Sequence, residues 1–238
     1  LTLSELATAT AISPSWWPLV SIASDIANLL DVAAAEATFL RYFRSAPAPL
    51  ARPAALFSDA ELQSITTAQA AALSGVQLAG LTAAKFAKLE TEDVRALNVS
   101  ALEAMGTAQM SSFTTAQAAA LVGTQLAKLT TAQVANFATD DLAAIQPLAV
   151  KSLSAAQMRA LTTLQVANLT TAQVAALTGS QLAAMETADL QALTGAQVGA
   201  ISNTQLVSLS TAQKEILFSN LVDAQKAGYS VGTLTADE

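Results

Sequence analysis

The chain of 238 residues has no cysteine and no histidine. Without cysteine there is no disulfide framework, no thiolate-held zinc or iron–sulfur centre and no thiol nucleophile. Without histidine the commonest general base, metal ligand and haem ligand is gone. Charged residues make up only 12% of the chain, about half the usual share of a soluble domain. The net charge of −7 argues against a nucleic-acid partner, whose phosphates need a basic surface. Aromatic residues are 5% although hydrophobic ones are 53%, so the apolar content is mainly alanine, leucine and valine. No phosphate-binding loop and no Gly-x-Ser-x-Gly turn is present. These absences predict no enzyme, no catalytic, cofactor-binding or metal-ligating residues, and no cofactor; a structural or binding protein is left.

Leu1 in place of an initiator methionine reads as a processed chain, a fragment or a segment. The most apolar stretch, residues 16–43, carries Asp25, Asp31, Glu36 and Arg41. Charges at that spacing predict no membrane span.

What the chain has is an eight-residue repeat. Every eighth residue from Phe57 to Leu217 is large and apolar, 21 positions without a slip. A second apolar column runs five residues further on, from Leu62 to Leu206, and breaks at Lys214. The unit Leu-Thr-Thr-Ala-Gln-Val-Ala-Ala or a close variant is clean at 129–136 and 169–176. A slower period of 48 residues lies on top. It relates Glu90, Glu92 and Asp93 to Asp140 and Asp141 and then to Glu186 and Asp189, and residues 66–73 to residues 114–121. Six octads could form one superhelical turn or only mark a duplication. If they form a turn, the acidic groups line up and a cation such as Ca²⁺ could bridge them; solvated acidic faces are the favoured reading.

Eight residues at about 100° each leave a remainder of about 80°, so on one continuous helix neither column would form a face. The period therefore excludes a long amphipathic helix or coiled coil, and the backbone must break once per octad. Ser or Thr followed three residues later by Gln or Glu recurs at Ser58/Glu61, Thr66/Gln69, Thr114/Gln117, Thr130/Gln133, Ser154/Gln157, Thr170/Gln173, Thr194/Gln197 and Ser210/Gln213. That is a capping box, in which hydroxyl and amide satisfy each other's orphan backbone N–H groups. The leucine before the cap and the valine four after it sit where a hydrophobic staple does. Pro147 and Gly75, Gly123, Gly179 and Gly195 all fall at the first helical position, where proline is tolerated best.

The expected fold is all-α: a solenoid of about 20 octads, each a capped helix of about a turn and a half that buries the next. Such helices are too short to stand alone. Alanine at the fourth and eighth positions is expected to let neighbouring turns approach. A β-solenoid with two octads per coil is the alternative. It is disfavoured because glycine is scarce and the two columns have opposite strand parity.

Three regions are expected. Residues 1–56 form a helical cap or assembly segment, helical from about 19 to 43, with a Pro-rich linker over 45–53. Residues 57–217 are the solenoid. Residues 218–238 are a C-terminal cap and tail, its helix running from about 211 to 227.

The runs at 129–136, 161–168 and 169–176 resemble the "LTTAQVAAL" repeats of large bacterial surface or exported proteins, often labelled adhesin-like or haem-utilisation proteins. The resemblance covers residues 57–217. It implies a location outside the cell or on its surface. The outward positions, taken as Ala, Thr, Gln and Ser, are weakly charged and repetitive, which favours contacts that repeat into fibres. The expected function is a structural, self-associating subunit of a filament, sheath or adhesive stalk, a homo-oligomer held by this surface and the N-terminal segment. The alternative is an exported interaction module, an adhesin arm or effector binding a protein partner, with Lys85, Lys88, Arg95, Lys128, Lys151 and Arg159 as candidate contacts. Met105, Met110, Met158 and Met185 fall in the apolar columns and read as packing residues.

Overall fold

The structure, a computed structural model, describes residues 57–221. The expected N-terminal helix and linker, and the tail beyond 221, lie outside these residues.

Twenty helices and no strand occur among the described residues. In chain order they are α1 Asp59–Ser64, α2 Thr67–Ala72, α3 Gly75–Ala79, α4 Ala83–Phe86, α5 Thr91–Ala96, α6 Val99–Glu103, α7 Thr107–Met110, α8 Thr115–Ala120, α9 Gly123–Leu126 and α10 Thr131–Ala135. Then follow α11 Thr139–Ala144, α12 Pro147–Val150, α13 Ala155–Ala160, α14 Thr163–Ala167, α15 Thr171–Ala176, α16 Gly179–Ala184, α17 Thr187–Ala192, α18 Gly195–Gly199, α19 Asn203–Leu206 and α20 Thr211–Ser219. The fold is an all-α solenoid with one short helix per octad. The β-solenoid alternative is excluded.

Each helix is reset by its own cap. At α15, Thr170 is extended (φ −70°, ψ 154°). The Gln173 N–H donates to Thr170 Oγ1 at 3.1 Å, and the Thr170 N–H donates to Gln173 Oε1 at 2.8 Å. All eight capping boxes anticipated above form. Where the N-cap lacks a hydroxyl, the returning half persists: the N–H groups of Gly106 and Val122 donate to Gln109 and Gln125 Oε1 at 2.9 and 3.0 Å. At the other end the column residue is the C-cap or lies just after it. Its N–H bonds back to the second-column carbonyl, as Leu177 does to Val174 at 3.2 Å. The chain turns there, so the column side chain and the valine-type residue point to the same side. Both columns are buried along their whole length and form one continuous apolar core.

The packing partner is not the neighbouring octad. From α2 to α17 each helix packs on the third helix after it. The expectation that each octad buries the next is therefore corrected. A helix of four to six residues turns the chain too far for its successor to lie alongside, and the facing surface arrives only after the coil has come round. Side-chain bonds described below reach the fourth helix back, so one superhelical turn takes between three and four octads. The 48-residue period is thus not one turn. It is two steps of three helices along a row of packed helices.

Close approach between coils occurs at the eighth octad position, against the first helical residue three helices earlier. A Cβ at Gly75 would lie 2.7 Å from the Cβ of Ala104. A Cβ at Gly179 would lie 2.7 Å from the Cβ of Ser208 and 3.0 Å from the Gln205 carbonyl oxygen. Lys88 meets Asp59 in the same register, at 3.5 Å. The eighth position thus takes the spacing role expected of it, whereas the fourth faces solvent, as Ala132, Ala156 and Ala172 do. Gly179→Ala should therefore destabilise the protein by about 1–3 kcal/mol through overpacking, against a helix-propensity gain of about 1 kcal/mol. Denaturant melts of Gly179→Ala, Ser208→Gly and the double variant test this: the double variant should recover most of the loss.

The last helix ends at Ser219 rather than near 227. Asn220 takes the C-cap, and its Nδ2 donates to the carbonyls of Leu190 and Leu193, both at 3.1 Å. Leu221 then turns into the core. That tie to the preceding coil stops the helix early.

Candidate functional site

The most elaborate side-chain chemistry lies between the coils, at the third helical residue. Glutamine fills thirteen of the twenty slots from residue 61 to 213. Its Oε1 closes the capping box, which leaves the amide Nε2 with two hydrogens to place. In ten of these glutamines Nε2 donates to the carbonyl oxygens 31 and 28 residues earlier. Those carbonyls belong to the second-column residue and the following column residue of the fourth helix back. Gln173, for example, reaches Leu142 and Ile145, both at 2.8 Å, and Ala143 at 3.2 Å. The last carbonyls of a helix have no intrahelical donor; here each coil caps the C-termini of the coil before it. The same amide caps its own helix at the N-terminus. These glutamines are buried, which corrects the expectation that glutamine is an outward residue: a buried amide with every group bonded stabilises, and an exposed one would leave the carbonyls unpaired.

Aspartate takes the glutamine slot at Asp93, Asp141 and Asp189, 48 residues apart on α5, α11 and α17 of one row. An ionised carboxylate donates nothing. The alternate helices of the row, α2, α8 and α14, carry Thr67, Thr115 and Thr163 at their first position, 26 residues before each aspartate. The Thr163 hydroxyl donates to Asp189 Oδ1 at 2.9 Å, and Thr115 makes the equivalent bond to Asp141. Asp93 differs: its Oδ2 is buried with no hydrogen-bond partner. The Asp93 carboxyl is pushed up to about 6, chiefly by burial, with repulsion from Glu90 and Glu92 adding to the rise and the Glu90 N–H bond working against it. Burial also raises Asp141, with the Thr115 hydroxyl working against it and Asp140 with it. The acidic groups therefore do not stack on one another. A neutral helix separates each from the next, so the alignment that a six-octad turn would have given is absent.

The candidate contact residues are not brought together. Lys85 and Lys88 are on or just after α4, Arg95 on α5, Lys128 and Lys151 at the ends of α9 and α12, and Arg159 on α13. Among these helices α9 packs along α12, and glutamine ties join α9 to α5 and α13 to α9. Lys85 is half-buried and the other five are exposed. The four methionines of the columns are buried in the core. Exposed large apolar side chains, Val76, Leu148, Leu164 and Val207, are isolated on α3, α12, α14 and just after α19. Among the described residues no helix is long and apolar enough to cross a membrane.

What sequence reasoning missed was the second use of glutamine. A signal was there: a capping box accepts Glu as readily as Gln, yet the slot holds Glu only at Glu61. A requirement for a donor as well as an acceptor explains that bias.

No curated protein matches the chain. The family model described as the ALTTAQ repeat matches residues 86–122, 134–171, 158–185 and 182–215. Those segments cover most of the capped helices and most of the glutamine ties, leaving out α1 to α3 and α9, and the chain belongs to the ALTTAQ repeat family.

Proposed function

We propose that the protein is a structural, self-associating subunit of the bacterial cell exterior, in a filament, sheath or adhesive stalk. The observation that carries this reading is the fate of the polar groups. Cap hydroxyls and slot amides are largely used within and between coils. Facing solvent at the first two helical positions are short uncharged side chains, such as Thr131 and Ala132, Ala155 and Ala156, Thr171 and Ala172. A rod on which such small faces recur, though Val76, Leu148, Leu164, Glu92 and Asp140 interrupt them, can repeat one contact along its length, and contacts that do not close give fibres. Adhesion is one use such an assembly would serve. Haem carriage has no support, since histidine and cysteine are absent and the column methionines are buried. The interaction-module reading is weaker, because the basic residues that would make its contacts are spread over all three rows of helices.

Size-exclusion chromatography and negative-stain microscopy of the purified chain test the proposal. Filaments or large oligomers are expected. Ala132→Glu with Ala156→Glu and Ala172→Glu should disperse them while circular dichroism stays unchanged. A monomer that persists at high concentration sinks the structural reading.

A further inference from the structure

We propose that Asp93 is a proton-operated clasp between coils: when neutral it donates its one carboxyl hydrogen to one of the two carbonyls that a glutamine serves elsewhere, and when ionised it leaves both without that donor. The register identifies the acceptors. Counting back 31 and 28 residues from Asp93 gives Leu62 and Ile65, the second-column and column residues at the end of α1. In ten other turns those two places receive an amide from the slot that Asp93 occupies, as Gln109 serves Leu78 and Leu81, both at 2.7 Å. Asp93 is only 3% exposed, and its Oδ2 has no partner among the described residues. A buried carboxylate oxygen with no donor is unfavourable. One proton taken from solvent turns it into the donor that the register calls for.

Apart from the Glu90 N–H, which favours the ionised form, the packed neighbours offer the charge little. The helices packed against α5 are α2 and α8, with sequences Thr-Ala-Gln-Ala-Ala-Ala in both, and neither carries a titratable group. On the fourth helix back, α1 carries Asp59 and Glu61; on the fourth helix ahead, α9 has no charged residue. On α5 and its cap the charged groups are Glu90, Glu92 and Arg95. Lys88, the nearest cation before the cap, is placed against Asp59. Asp141 and Asp189 differ from Asp93 in having a threonine hydroxyl to accept from, so their ionised forms are served.

The sign of the effect follows. Asp93 titrates near 6 in the folded chain, above the ordinary 3.8, so the folded state binds the proton more tightly than the unfolded state does. Its contribution is most favourable below about pH 4 and is lost as the pH rises through about 6. The clasp therefore tightens on acidification, opposite to ordinary acid denaturation.

Asp93→Gln restores a full-length donor and tests the proposal in the whole chain. Thermal and urea melts of wild type and Asp93→Gln are compared at pH 7.5 and pH 5, with Asp93→Asn as a second variant. Asp93→Gln should be the more stable at pH 7.5. The ratio of unfolding constants between the two proteins should shrink roughly tenfold at pH 5, as a carboxyl moving from 3.8 to about 6 requires. In wild type, the Asp93 side-chain carbon followed by NMR should titrate with a midpoint near 6. A midpoint near 4, or a stability gap that is the same at both pH values, overturns the clasp.

Discussion

Replacing Gln173 with leucine is expected to cost about 3 kcal/mol or more, because several buried backbone groups lose their partner together and each costs about 1–3 kcal/mol. Gln173 is 0% exposed. Its Nε2 holds the carbonyls of Leu142 and Ile145 at 2.8 Å and Ala143 at 3.2 Å, and its Oε1 holds the Thr170 N–H at 2.8 Å. Leucine matches the bulk but bonds none of them. Part of the cost is softened because the Leu142 carbonyl still accepts the Ile145 N–H at 3.3 Å. Gln173→Glu separates packing from hydrogen bonding: it keeps the shape and the acceptor but removes the donor and adds charge. At neutral pH it should be at least as damaging as leucine, and acidification should recover part of the loss. Stability in a solenoid is a sum over neighbouring units, so amide exchange should accelerate first around α11 and α15. If urea melts show that Gln173→Leu costs less than about 1 kcal/mol, the amides are not what ties the coils.

Much of this fold could be read locally. The octads, the eight capping boxes and the two columns are short-range patterns, and a cap needs only residues three apart. The break at each Thr or Ser follows from helical geometry, which a period of eight cannot satisfy. The coil number is different in kind. Whether Leu121 packs over the next octad or the third depends on the angle at each turn, and no side-chain pattern encodes that angle. Gln133 shows the same limit in a single residue. Its bond to Thr130 was legible three residues away, but its donation to Leu102 and Met105, at 2.8 and 2.9 Å, spans 31 and 28 residues. The 48-residue series of Asp93, Asp141 and Asp189 was visible as a period, but its meaning was not. Only the pairing of alternate helices shows that the threonine 26 residues earlier serves Asp141 and Asp189, while Asp93 Oδ2 is left without a partner.

Phe113 is the core position where truncation should reach furthest. Its ring lies 4.7 Å from Phe86 and 5.3 Å from Phe137, centroid to centroid. Those two rings belong to the coils on either side, so one side chain stitches three coils. The second column is at its smallest in the same octad, where Ala118 stands in place of valine or leucine. No large neighbour from that octad can move in to fill the space. Phe113→Ala should therefore leave most of its cavity open and cost about 3–5 kcal/mol. Phe113→Leu, which restores the common column residue, should cost about 1 kcal/mol. Because coupling along the rod passes only between adjacent coils, a cavity here weakens the junction between its two halves. Urea unfolding of Phe113→Ala should broaden or split into two transitions, with amide exchange faster from α4 to α11 than near α15. A single sharp transition shifted by less than the leucine variant's loss would mean that the coils re-pack around the gap, and that the column is held by its total volume and not by this contact between rings.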